Sequence, residues 1–110
     1  MNDENYFKII TTCPSKNVSR LIMVLAKAGA GQVGKYTHCV HITAGEGTWL
    51  PLPGAKPAIG KIGKLSRVKE MQLETVCVQS KLAKALKALK AAHPYETPVI
   101  QVIQLFQLVF

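Results

Sequence analysis

A chain of 110 residues that is 48% hydrophobic and 18% charged is one folded domain over 1–110, too apolar for a disordered segment and too short for two cores. No run approaches the roughly 18 uninterrupted apolar residues of a membrane helix, and the acidic, polar start Met1-Asn2-Asp3-Glu4 is the opposite of a secretory signal. Fourteen Lys and Arg against six Asp and Glu give a net charge of +8, but the lysines are spread along the chain without an Arg-rich or aromatic-interleaved run, which argues for solubility and anion steering and against nucleic acid as a partner.

In chain order, Tyr6–Cys13 is rich in β-branched and aromatic residues and reads as a first strand, closed by Pro14. Ser15 stands where an N-cap is expected, and Val18, Leu21, Ile22 and Leu25 recur at helical spacing until Gly29-Ala30-Gly31 ends the helix. Tyr36–Thr43 alternates as a second strand. Residues 45–63 then hold five glycines and three prolines and read as a long irregular loop of functional or interface type.

Arg67–Val78 reads as a third strand, with Met71, Leu73, Thr75 and Cys77 on one face and Glu70, Gln72, Glu74 and Val76 on the other. Ser80 is the expected cap of a second helix, Lys81–Ala92, with Leu82, Ala85, Leu86 and Leu89 inward and Lys81, Lys84, Lys87 and Lys90 outward. His93-Pro94 ends it, and Val99–Phe110 reads as a long fourth strand. Cys13, Cys39 and Cys77 are odd in number and form no CxxC pair, as expected of buried thiols in a reducing cytoplasm.

The order βαββαβ predicts an α+β ferredoxin-like sandwich, a four-stranded antiparallel sheet with two helices on one face. The last strand is apolar on both faces, interrupted only by glutamines. Its second face needs cover that one chain of this size does not supply, so a closed homo-oligomer is expected.

Five spaced motifs carry a family resemblance. Thr12-Cys13-Pro14-Ser15 and His93-Pro94-Tyr95-Glu96-Thr97-Pro98 resemble the CutA proteins, trimeric relatives of the PII signalling fold. The AGAG-x-x-G-x-Y-x-x-C stretch of residues 28–39, the G-x-G-T-aromatic-x-P of residues 45–51 and the G-A-x-P-x-x-G-x-x-G of residues 54–63 resemble the domain inserted in Nif-three-type proteins, the dinuclear-metal, GTP cyclohydrolase type family. The match runs over essentially the whole chain and implies a PII/CutA-like fold and a trimer. The family's dinuclear metal is held by residues of two flanking halves absent from this sequence, so neither that site nor a hydrolase activity is implied for it. Family members often carry a second Glu after HPYE, where this chain has Thr97.

Three groups of residues are site-like. His93, Tyr95 and Glu96 form a helix-to-strand corner that places an acid at the mouth of the last strand, with a subunit-interface corner as the plainer reading. Trp49 is costly to leave in water, and Lys56 and Lys61 in the same loop suit a small anionic ligand. Cys39 and His41, two apart on one strand face, suit a soft divalent metal, against a buried thiol and a hydrogen-bonded histidine. Glu70 and Glu74 read as partners of lysines across a subunit interface. The expectation is therefore a non-enzymatic, cytoplasmic binding or regulatory module, self-associating as a trimer, with its ligand at subunit clefts. The alternatives are a CutA-like divalent-metal-binding protein and an interaction module for a separate catalytic partner.

Overall fold

A computed structural model describes residues 4–110; Met1–Asp3, on which the leader reading partly rests, lie outside the described residues. Strand β1 (Tyr6–Cys13) leads through a 3₁₀ turn (Ser15–Asn17) into helix α1 (Val18–Lys27). Strands β2 (Val40–Trp49) and β3 (Ser66–Val78) follow, then helix α2 (Gln79–Ala92) and strand β4 (Ile100–Gln104). The sheet order is β2-β3-β1-β4 with every pair antiparallel. This is the expected α+β ferredoxin-like arrangement.

The core sits between one sheet face and the helices. Alternate residues of β1 and β3 (Ile9 and Cys13, Leu73 and Cys77) meet Leu21 and Leu25 of α1 and Ala85 and Leu89 of α2, as the two periodicities require. Two buried threonines on that face are satisfied: Thr75 Oγ1 donates to the Cys39 carbonyl at 2.7 Å and Thr11 Oγ1 to the Val99 carbonyl at 2.9 Å. Helix α1 ends in a Schellman motif. Gly29, at φ +100°, donates to the Ala26 carbonyl, and Ala30 N donates to that of Leu25, which fixes this glycine by its left-handed backbone.

Four sequence expectations are corrected. Ser15 does not cap α1; it opens the 3₁₀ turn, closed by Asn17 N donating to the Pro14 carbonyl, and no side chain caps either segment. Ser80 does not cap α2. Strand β3 runs straight into that helix, and the Gln79 N–H is satisfied by the Asn5 carbonyl instead. The second strand is displaced toward the C-terminus, from Tyr36–Thr43 to Val40–Trp49, so that Gly45 and Gly47 lie in the ladder opposite Glu70 and Val68. The fourth strand stops at Gln104, because its partner β1 begins at Tyr6; after Leu105 N donates to the Tyr6 carbonyl there is no further neighbour to pair with.

The chain is elongated, 50 × 24 × 24 Å, with a radius of gyration of 15.1 Å against about 13 Å for a compact chain of this length. Its β2 arm contributes: residues 41–46 are exposed, although they alternate between the two sheet faces. The face away from the helices is mixed, not uniformly apolar: Ile10, Val76 and Ile103 share it with Gln72, Gln101 and the Lys8–Glu74 pair, whose Nζ–Oε2 separation is 3.8 Å. The lysines, spread in sequence, gather in space. Lys16, Arg20, Lys27, Lys81, Lys84, Lys87 and Lys90 all belong to the helical layer, which holds no Asp or Glu. No helix among the described residues is long and apolar enough to cross a membrane.

Leu89 is fully buried at the centre of the core. Leu89→Ala is expected to lower the unfolding free energy by about 2–5 kcal/mol in urea titrations; a loss below about 1 kcal/mol would show that this layer is not tightly packed.

Candidate functional site

The end of the sheet where β2 and β3 turn is roofed by two segments. One is the loop over residues 50–65, which folds back on itself through Gly63 N donating to the Pro51 carbonyl at 2.8 Å. The other is the corner between α2 and β4. Pro94 turns His93 to an extended backbone (φ −68°, ψ 136°), while the His93 N–H still closes the last turn of α2 on the Leu89 carbonyl.

The corner is built by its own hydrogen bonds. The Tyr95 N–H donates to His93 Nδ1 at 3.2 Å, so Nδ1 is the unprotonated nitrogen, and Nε2–H donates to the Thr12 carbonyl at 2.8 Å. His93 is thus locked as one neutral tautomer. Burial pushes its pKa down from the ordinary value; the bond to Thr12 and the negative charge of Glu70 oppose that without reversing it. The tyrosine ring that follows is directed toward β3, where its Oη donates to Glu70 Oε2 at 2.6 Å. Burial, and then this bond, push the Tyr95 phenol above its ordinary range, so it stays a donor.

Glu70 is only 9% exposed. Its fit depends on a glycine: Gly47 lies on the same sheet face, diagonal to it, and a methyl there would overlap Glu70 Oε1. Glu70, expected to meet a lysine across an interface, has a partner within the chain, Tyr95. Glu74 does meet a lysine, the chain's own Lys8.

Trp49, the last residue of β2, donates through Nε1 to the Ile59 carbonyl at 3.0 Å and packs its ring against Tyr95 at 5.5 Å and 57°. Glu96 Oε1 accepts the Lys56 backbone N–H at 2.8 Å and ties the loop to the corner. Between these groups lies a cleft of about 330 Å³, lined by Trp49, Pro51, Ile59 and Tyr95 and by the acids Glu70 and Glu96. Four of the predicted ligand residues, His93, Tyr95, Glu96 and Trp49, therefore come together, with His93 behind the wall. Lys56 contributes its backbone amide, while its side chain and that of Lys61 are outside the lining. Glu70 and Gly47 were missed as site residues; a glycine facing a strand glutamate across the ladder is the signal that could have found them.

Cys39 and His41 line one shallow depression with Glu74, but Cys39 precedes β2 and its Sγ–H points to the Thr37 carbonyl at 3.8 Å. Among the described residues no group of three or more His, Cys, Asp or Glu is placed to hold a metal ion. The Cys13 thiol is pushed up by burial and by Glu70, and that of Cys77 by burial, so both are core groups with poor nucleophilicity.

No protein-family model matches the chain. It is 33% identical over 102 residues to the GTP cyclohydrolase 1 type 2 homolog of Halalkalibacterium halodurans, covering 93% of this chain and 27% of that protein. To the homolog of Bacillus subtilis it is 39% identical over 89 residues, covering 81% and 24%. The chain thus spans about a quarter of the length of these curated relatives. Among solved structures, a Bacillus cereus protein related to NIF3 matches with a TM-score of 0.83 and 33% identity over 97% of this chain and 27% of that one. The periplasmic divalent cation tolerance protein CutA from Archaeoglobus fulgidus matches with a TM-score of 0.69 and 22% identity over 94% and 87%, a likeness of fold. In sequence and in fold, the chain is the counterpart of one CutA-like segment, about a quarter of the length, of the NIF3-related GTP cyclohydrolase 1 type 2 homologs.

Proposed function

We propose that the chain is a self-associating CutA/PII-like binding or regulatory module whose ligand site is the cleft between Trp49, Tyr95, Glu70 and Glu96. The observation that carries this is the way the cleft is made. Three segments distant in sequence are tied together by Trp49–Ile59, Glu96–Lys56 and Tyr95–Glu70 bonds, and what they enclose is a cavity of about 330 Å³ instead of packed core. Pre-formed, mostly apolar clefts with a few fixed polar groups are where small ligands bind. No chemistry is assigned to the chain alone: its buried thiols are raised, and Tyr95 is held protonated.

Self-association is supported by surface that a lone chain leaves bare. The β2 arm is uncovered, and Val99, Ile103, Phe106, Val109 and Phe110 are exposed beside the edge strand β4 and beyond it. A trimer is the arrangement the CutA resemblance favours. The alternative reading, divalent-metal binding, has Cys39 and His41 beside one depression, without a third group placed to complete a site among the described residues; metal retained by untagged protein and lost on Cys39→Ala and His41→Ala would favour it over the cleft.

Three outcomes are expected. Light scattering at micromolar concentration should give a mass three times that of one chain, and a monomer would overturn the oligomer. Gly47→Ala, which forces the Glu70 carboxylate off Tyr95, should cost about 1–3 kcal/mol and abolish any thermal shift that small ligands give the unmutated protein; an unchanged shift would place the site elsewhere. The folded pKa of His93 lies below the ordinary 6.5, so as pH falls from 6.5 toward it the unfolded chain binds a proton that the native chain does not. Stability should be full above pH 6.5 and fall through that window, and His93→Gln should flatten the fall. A profile that His93→Gln leaves unchanged would contradict the neutral, locked imidazole.

A further inference from the structure

The cleft's chemistry is opposite in sign to that of the chain. Against a net charge of +8, its lining contains two carboxylates, Glu70 and Glu96, and no Lys, Arg or His. Seven of the cations belong to the helical layer, and Lys56, Lys61 and Lys64 stand in the loop that roofs the cleft but are outside its lining. Glu70 is about nine-tenths buried, yet among the described residues its carboxylate receives one donor, Tyr95 Oη on Oε2. Its other oxygen, Oε1, has no donor among the described residues and is not sealed from solvent, so it is open to a donor in the cleft.

The aromatic walls point the same way. The indole N–H of Trp49 is engaged by Ile59 and the hydroxyl of Tyr95 by Glu70. What the two rings can offer a ligand is therefore their π faces, tilted at 57° to each other. Electron-rich faces beside carboxylates, in a partly enclosed apolar cleft, attract a compact cation. An anion there would meet two negative groups at reduced dielectric, with no lining cation to offset them. The volume, about 330 Å³, is at the lower end for ligand clefts and suits a small molecule.

We infer that the cleft binds a small organic cation of the ammonium class, its charge held between Glu70, Glu96 and the faces of Trp49 and Tyr95. This rests on the cleft being the ligand site, and it reverses the sign of the ligand expected from Lys56 and Lys61.

Trp49 is the only tryptophan and stands in the cleft wall, so its emission reports occupancy. The full-length chain is titrated at constant ionic strength and pH 7 with choline, with its neutral isostere 3,3-dimethylbutanol, and with acetate. Choline should give a saturable change at least about tenfold tighter than the isostere, and acetate none. Glu96→Gln keeps the acceptor for Lys56 N–H and removes only the charge; it should weaken choline about tenfold with the thermal midpoint unchanged, and Glu70→Gln should weaken it similarly. Equal or tighter binding of the isostere or of acetate would overturn the ammonium assignment while leaving the cleft as a ligand site, as would choline binding indifferent to both substitutions. No response to any probe would overturn both readings together.

Discussion

The hydrogen bond from Tyr95 Oη to Glu70 Oε2, 2.6 Å long, joins the parts of this molecule that matter for its site. It connects a corner fixed by Pro94 and His93 to the middle of β3, and it brings the Tyr95 ring against Trp49 at the end of β2. Each participant is constrained by another. His93 orients Tyr95 by accepting its N–H, Tyr95 donates to one oxygen of Glu70, and Gly47 leaves the space that Glu70 fills. A largely buried carboxylate is an uncommon element in a small domain. Its presence in the lining of a cavity, and not in the packed core, is what motivates a binding role.

Charge is distributed unevenly between the layers. The helices carry cations without compensating acids, while the strands carry both signs, with Glu46 beside Arg67 and Glu74 beside Lys8, and Glu70 and Glu96 line the cleft. At the surface these charges act mainly through solubility and long-range steering. In the cleft, where water is partly excluded, two lining acids count for more than lysines outside the lining. The net charge of the chain is therefore a poor guide to what its cleft holds.

Much of the fold was legible in the sequence. The bounds of β1, the inward stripes of both helices and the βαββαβ order follow from periodicity, because each of those elements has one face against the core. The misreadings occurred where that condition fails. Strand β2 has little buried surface, so its pattern was weak, and Gly45 and Gly47 disguised a strand as a loop although Gly47 is needed to admit Glu70. The end of β4 depended on where β1 begins, which is a non-local fact; Leu105 to Phe110 are strand-like in composition but run past the end of β1, where Phe110 packs its ring on Tyr6 instead of pairing in the sheet. Trp49, Tyr95 and Glu96 were found because a tryptophan in a loop and a proline-locked turn are locally unusual. Glu70 was missed because its burial comes from a tyrosine that is 25 residues away in sequence, and the loop lysines were weighted by charge when only the Lys56 backbone takes part.

The coupling between Tyr95 and Glu70 is measured directly by a double-mutant cycle. Tyr95→Phe, Glu70→Gln and the double variant are compared by urea unfolding, with Trp49 emission followed in each native state. A coupling of about 1–3 kcal/mol is expected, with a red-shifted Trp49 emission in Tyr95→Phe as the cleft wall loosens. Additive losses with unchanged Trp49 emission would contradict that coupling.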